Sequence, residues 1–192
     1  MKGRESGMPD ETMWDSFYDA GCIVEKLGCA SSPTGSIAEF GCGYGTFTLP
    51  AACRTSGTIH AFDIEADLVA LVRRKAEQEG LRNVRAELRD FVISGTGLPP
   101  QSMDHVMLFN LLHIEQPVAL LAEAHRILKP GGTLSVMHWK HDIPTPRGPS
   151  MEIRPSPGQC RAWAEEAGFV FLHDQDLSEC CDYHYGLVLT RP

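Results

Sequence analysis

Three glycines within five residues, Gly41, Gly43 and Gly45, carry the strongest chemical signal in this chain. They stand in Glu39-Phe40-Gly41-Cys42-Gly43-Tyr44-Gly45, directly after a short apolar run. Glycine lets a backbone turn sharply and approach a ligand with no Cβ in the way. The spacing is GxGxG, whereas a dinucleotide fingerprint needs its third glycine one residue later, where Thr46 stands. A nucleotide carrying a pyrophosphate is therefore the poorer fit. Taken alone, the cluster also suits a plain strand-to-helix turn. Other residues add to it. Asp63 closes the next apolar run, where a carboxylate can accept both hydroxyls of a ribose. Asp90-Phe91 follow the run after that, where a carboxylate can accept from an adenine amino group and an aromatic can pack on the ring. Asn110 ends the fourth run.

The elements that must position these residues follow from periodicity. Short apolar runs alternate with longer amphipathic stretches, the pattern of βαβ units around a parallel sheet. Strands are expected at Ser36–Phe40, Thr58–Asp63, Val84–Leu88, Asp104–Asn110, Thr133–His138, Phe169–Asp174 and His184–Thr190. Helices are expected from Glu11 to Leu27, from near Thr46, from Ala66 to Glu79, from Val118 to Leu128, and from Ser156-Pro157 to Gly168. Lys129-Pro130-Gly131-Gly132 reads as a turn, and His141 to Pro155 as an irregular, proline-rich stretch. The last two strands are joined by a loop without helical period, so one of them runs antiparallel. The expected fold class is α/β: a Rossmann-like, seven-stranded, mostly parallel sheet with one antiparallel strand, helices on both faces and a preceding N-terminal helix. All four ligand-competent positions then lie at the carboxyl edge, near the point where strand order reverses.

Length and composition fit one domain spanning residues 1–192, with residues 1–32 as a helical lid and 139–155 as an insertion near the acceptor site. The formal net charge of −8 argues against a nucleic-acid surface, so no nucleic-acid partner is expected. No segment is long and apolar enough for a bilayer, and the polar N-terminus lacks a signal-peptide stretch. The seven cysteines are scattered, odd in number and free of CxxC spacing, which suits free thiols and a cytoplasmic location. The vicinal Cys180-Cys181 pair reads as incidental to a strand edge.

The segments IAEFGCGYGTFTLPAA, HAFDIEADLV, Asp90-Phe91, SMDHVMLFNLLHI and RILKPGGTLSV, followed by AEEAGF, resemble the class I S-adenosylmethionine-dependent methyltransferases, of the type 11 and ubiquinone-biosynthesis-like branch. The resemblance runs from about Ile37 to Val136 and resumes at Ala164–Phe169. It implies S-adenosyl-L-methionine as cofactor, with S-adenosyl-L-homocysteine as product, and methylation of a small-molecule acceptor. It also implies that Gly41, Gly43 and Gly45 cradle the methionine part and that Glu39 orients their loop. Asp63 would serve the ribose, Asp90 and Phe91 the adenine, and Asn110, through its side chain or its backbone carbonyl, the methionyl amine or sulfonium region, with Ile64 a further cofactor contact. Family members often carry His-His where this chain has His113-Ile114, so any role of a second histidine there is lost.

Methyl transfer from a sulfonium needs mainly in-line positioning and exclusion of water, and a base only when the acceptor must lose a proton. His113 is the candidate base, against a packing or capping histidine. Trp14, Tyr18, His138 and Arg147 are candidate acceptor contacts, with Phe17 and Arg154 beside them; core aromatics and solvated arginines are the plainer alternatives. No metal is expected, although His138 and His141, with Asp142 or Cys160, form a weak candidate set. A monomer or homodimer is expected. The rival readings are a non-catalytic binding module on the same fold and, less well supported, a nucleotide-dependent oxidoreductase.

Overall fold

The computed structural model describes residues 9–192. Seven strands form one sheet: β1 (Ile37–Phe40), β2 (Ile59–Asp63), β3 (Val84–Leu88), β4 (Met103–Phe109), β5 (Leu128–Trp139), β6 (Val170–Gln175) and β7 (His184–Thr190). Their order is β3-β2-β1-β4-β5-β7-β6. All run parallel except β7, which is antiparallel to both β5 and β6. The mostly parallel sheet with one reversed strand inside its edge is the architecture expected from the sequence.

Period-two alternation divides the buried strands between two faces. Ala38, Phe40, Val106, Leu108, Leu134, Val136, Leu187 and Leu189 point to one side, under α5 (Phe91–Ser94), α6 (Pro117–Ile127) and α7 (Pro157–Glu166). Ile37, Met107, Phe109, Met137 and Val188 point to the other, under α2 (Ala20–Lys26) and α3 (Thr48–Ala52), while α4 (Ala66–Gln78) covers Ala61 and Ala86. Phe40, Phe62, Leu121 and Trp139 are among the fully buried side chains. Burying each such side chain contributes ~1.5–3 kcal/mol. Ser156 caps α7 in a reciprocal capping box with Gln159, with Pro157 at the first helical position, as the sequence implies.

Local expectations are corrected or sharpened at four places. The helix read over Glu11 to Leu27 is two helices, α1 (Glu11–Asp15) and α2, because Asp10 and Asp19 each cap a new first turn: Asp10 Oδ1 accepts from Met13 N–H at 3.1 Å and Asp19 Oδ1 from Cys22 N–H at 2.9 Å. The helix after the glycines starts two residues beyond Thr46 and is only five residues long, with Pro50 inside it. β5 begins at Leu128, since the Lys129–Gly132 segment stays in the sheet as an irregularity opposite Met103 and His105. The proline-rich stretch contains a 3₁₀ turn at Met151–Ile153. Residues 1–8 of the expected lid lie outside the described part.

Candidate active site

The glycine loop leaves β1 at the carboxyl edge, between β2 and β4, where the strand order reverses. Gly41, Gly43 and Gly45 all take left-handed φ values of 74°, 52° and 82°. That region is strained for a residue with a Cβ, which is the local reason for three glycines in five positions. Gly45 also lies against α4: a Cβ there would sit 3.2 Å from Val72 Cγ2.

Two buried carboxylates flank this loop, and one of them bonds to it. Asp63, at the end of β2, is 5% exposed. Its Oδ2 accepts from Gly43 N–H at 2.9 Å and its Oδ1 from Glu65 N–H at 3.0 Å. Burial raises its pKa above the ordinary range, while these backbone donors oppose the rise. Glu39 is buried in β1 and accepts from the Thr48 hydroxyl at the start of α3. Burial pushes its pKa up to about 8, with the Asp63 carboxylate adding to the rise and Thr48 working against it. Two acidic groups thus lie close together, Asp63 under backbone N–H groups and Glu39 under a hydroxyl, an arrangement that accepts hydroxyl donors and favours a cationic ligand.

The remaining cofactor candidates surround the same edge. Ile64 follows Asp63 and is half-buried. Asp90 caps α5 through a 3.1 Å bond from Ile93 N–H, and Phe91 packs on Phe40 with ring centroids 5.2 Å apart. Asn110 follows β4 with a left-handed φ of 58°, which asparagine tolerates better than most residues. Its Nδ2 donates to the Tyr18 hydroxyl at 3.3 Å, whereas its Oδ1 is buried and has no hydrogen-bond partner. An orphaned buried acceptor is costly in isolation. With the left-handed glycines and the two carboxylates, it fits a ligand that brings hydroxyls and a positive charge, as S-adenosylmethionine does.

On the acceptor side, His113 Nδ1 lies 3.2 Å from His138 Nε2. The structure therefore brings together the candidate base and one candidate acceptor contact. His141 is exposed beyond the end of β5, and among the described residues no group of three or more metal-ligating side chains assembles with it and His138. Arg147 is exposed. Arg154 is instead a clamp: its guanidinium donates to the carbonyls of Pro149, Lys140 and Arg147 and lies over the Trp139 ring, so the anion-holding role considered for it is replaced by fastening the proline-rich stretch. Trp14, Phe17 and Tyr18 join Trp139 and Tyr183 in an aromatic cluster, with Phe17 buried and Trp14 and Tyr18 partly so.

Several participants lay beyond sequence reasoning. His184 accepts or donates at both ring nitrogens, to the Tyr18 hydroxyl at 3.3 Å and to Cys181 Sγ at 2.9 Å. Cys22 of α2 and Cys180 form a disulfide with a Cα–Cα distance of 5.6 Å, so the all-free-thiol expectation is corrected for these two; the other five cysteines are free. Cys180 is therefore no incidental neighbour of Cys181. The partners stand 158 residues apart, and no spacing rule links them. Helix α1 lies beside the glycine loop: Glu11 pairs with Lys75 of α4, which also donates to the Tyr44 carbonyl at 2.9 Å, the Tyr44 hydroxyl donates to the Pro9 carbonyl at 2.8 Å, and the Thr46 hydroxyl to Asp15 at 3.1 Å.

Comparison with known proteins agrees with the fold. The family described as "Methyltransferase domain" matches residues 37–132. An uncharacterised 37.1 kDa protein of transposon Tn4556 from Streptomyces fradiae is 35% identical over 161 residues, covering 78% of this chain and 45% of that protein. The aklanonic acid methyltransferase DauC of Streptomyces sp. (strain C5) is 30% identical over 102 residues, covering 52% of this chain and 46% of that protein. The chain thus spans about half the length of the curated relatives it matches. A crystal structure of a SAM-dependent methyltransferase from Aquifex aeolicus shares the fold, with a TM-score of 0.80 at 20% identity over 95% of this chain and 94% of that one. The chain belongs to the methyltransferase domain family, the class I S-adenosylmethionine-dependent methyltransferases.

Proposed function

We propose that this chain transfers the methyl group of S-adenosylmethionine to a small-molecule acceptor held above the carboxyl edge of β4 and β5. The observation that carries the reading is the loop of left-handed glycines tied by Gly43 N–H to the buried Asp63. When bound, the cofactor supplies a methyl carbon on a positively charged sulfur. Gly41, Gly43 and Gly45 border its methionine part, Glu39 supports the loop through Thr48, and Asp63 and Ile64 receive the ribose. Asp90 and Phe91 border the adenine. The unpartnered Asn110 Oδ1 accepts from the methionyl ammonium. The α1 lid excludes water, and His113 faces the acceptor. Trp14, Tyr18 and the 139–155 stretch flank the acceptor site. One relative bears the name of a small-molecule acceptor, aklanonic acid, and the net charge of −8 disfavours a polyanionic one.

The test is calorimetric titration with S-adenosylmethionine, S-adenosylhomocysteine and NAD, with Asp63→Ala as control. Removing a buried carboxylate that also holds the loop should weaken the first two by about 100-fold or more. Binding of NAD in preference to S-adenosylmethionine would replace this reading with the oxidoreductase. Tight binding of both sulfur ligands without turnover of any acceptor would favour a binding module.

A further inference from the structure

His138 has both ring nitrogens engaged and is 0% exposed. Nε2 faces His113 Nδ1 at 3.2 Å, and Nδ1 faces the carbonyl oxygen of Trp139 at 3.4 Å. A carbonyl oxygen only accepts, so His138 Nδ1 must carry a proton; the opposite tautomer would set two lone pairs against each other. Burial, first, and the neighbouring His113 push the His138 pKa down to about 3, so the ring is neutral and has no second proton. Its other near neighbours, Arg154 and His184, do not favour a charge there either. Nε2 is therefore a bare acceptor, and only His113 Nδ1–H can fill the gap between the two rings. His113 is itself kept neutral by burial, its pKa lowered. Its single proton is then fixed on Nδ1, and its Nε2 is left as a free lone pair with no hydrogen-bond partner among the described residues.

We propose that His138 is a positioning residue that relays the tautomer set by the Trp139 carbonyl to His113, making His113 Nε2 the base that takes a proton from the acceptor, and that the acceptor atom is consequently a weakly acidic hydroxyl, phenolic or enolic. This rests on the methyl-transfer reading. The acceptor O–H bond breaks as its proton passes to His113 Nε2. The freed oxygen lone pair forms the bond to the methyl carbon, and the electrons of the broken sulfur–carbon bond remain on sulfur. The resulting imidazolium shares its Nδ1 proton with His138 and returns the extra one to solvent. A carboxylate arrives ionised and needs no such base. An alkyl alcohol is too weakly acidic for an imidazole that burial has made less basic.

The test of the tautomers needs no acceptor. Long-range proton–nitrogen correlation spectra of the full chain labelled with nitrogen-15 report the tautomer of each histidine, with His113→Asn and His138→Gln assigning the signals. The expected result is a proton on Nδ1 of both His113 and His138, with His113 Nε2 bare. His113 protonated on Nε2 would overturn the relay, even if calorimetry shows that S-adenosylmethionine binds; absence of that binding would instead sink the methyl-transfer reading. His138→Phe should scramble the His113 tautomer, and His138→Gln, whose carbonyl can accept from Nδ1–H, should restore it. A folded His138→Phe with an unchanged His113 spectrum would also overturn the proposal. With S-adenosylmethionine present, a panel of phenols paired with the matching benzoates, read by release of S-adenosylhomocysteine, should turn over on the phenol side. Turnover confined to the benzoates would refute the acceptor class.

Discussion

The two halves of the site are built by different means. In the proposed cofactor half, on β1, β2 and the loop after them, the two carboxylates bind partners within 20 residues of sequence. Asp63 reaches Gly43 and Glu65, and Glu39 reaches Thr48. The proposed acceptor half joins distant segments. Tyr18 meets His184 across 166 residues and Cys22 bonds Cys180 across 158, while Tyr18 also reaches across 92 residues to Asn110, a cofactor candidate. A local cradle can be specified by a motif, because backbone conformation and one carboxylate determine it. A long-range pocket depends on tertiary packing and so is free to vary on one fold.

The sharpest way to break this contrast is to remove the long-range bond. Cys22→Ser should destabilise the chain by ~2–4 kcal/mol, since the disulfide constrains a very long loop of the unfolded chain. Amide exchange should rise in α2 and the loop before β7, while the glycine loop keeps its protection. Equal loss of protection in both places would show that the halves are not separable. Chemical denaturation against wild type, with Cys180→Ser as a cross-check, supplies the measurement.

The next effect lies in the cofactor half and depends on pH. The Glu39 pKa stands at about 8 in the folded chain against an ordinary 4.5. Below that ordinary value both folded and unfolded forms are protonated and nothing is lost. As pH rises toward 8 the unfolded chain releases its proton while the folded one retains it, so stability falls across this window and levels off above it. Glu39→Gln should flatten the decline, gaining ~1–3 kcal/mol over wild type at alkaline pH. A cationic cofactor favours the ionised carboxylate, so its binding at pH 7 should release protons. Calorimetric enthalpies in buffers of different ionisation heat measure that release, and none is expected from Glu39→Gln. A smaller effect is expected from Tyr18→Phe, which removes the hydroxyl between Asn110 and His184. It should cost about 1 kcal/mol of stability and weaken S-adenosylmethionine binding a few-fold by releasing the Asn110 amide. A loss as large as that of Asp63→Ala would mean that the distant segment, not the local cradle, holds the cofactor.

This contrast also explains what could be read in the sequence. The central strands were legible because buried parallel strands are short apolar runs, and the edge strand β3 and the antiparallel β7 also matched their expected bounds. The cofactor edge was legible because Gly41, Gly43, Gly45 and Asp63 each answer a local backbone demand. The break between α1 and α2 was missed because the amphipathic stripe continues through it; Asp19 was the available signal, as a capping residue three before Cys22. His184 and the disulfide left no trace, since their partners are set by how β7 folds beside β5. Arg154 carries a visible charge that suits a solvated arginine or an anion contact, while the three carbonyls it satisfies are set by the fold.

The Cys22–Cys180 bond turns most of the domain into a closed covalent circuit that contains every strand except β7. The exposed proline-rich segment around residues 141–148 lies inside that circuit. A protease nick there yields two polypeptides that stay linked, each keeping its half of the β5–β7 ladder in reach of the other. The cut would appear on a gel only after reduction, and the nicked protein would refold as a single molecule whose strands cannot diffuse apart.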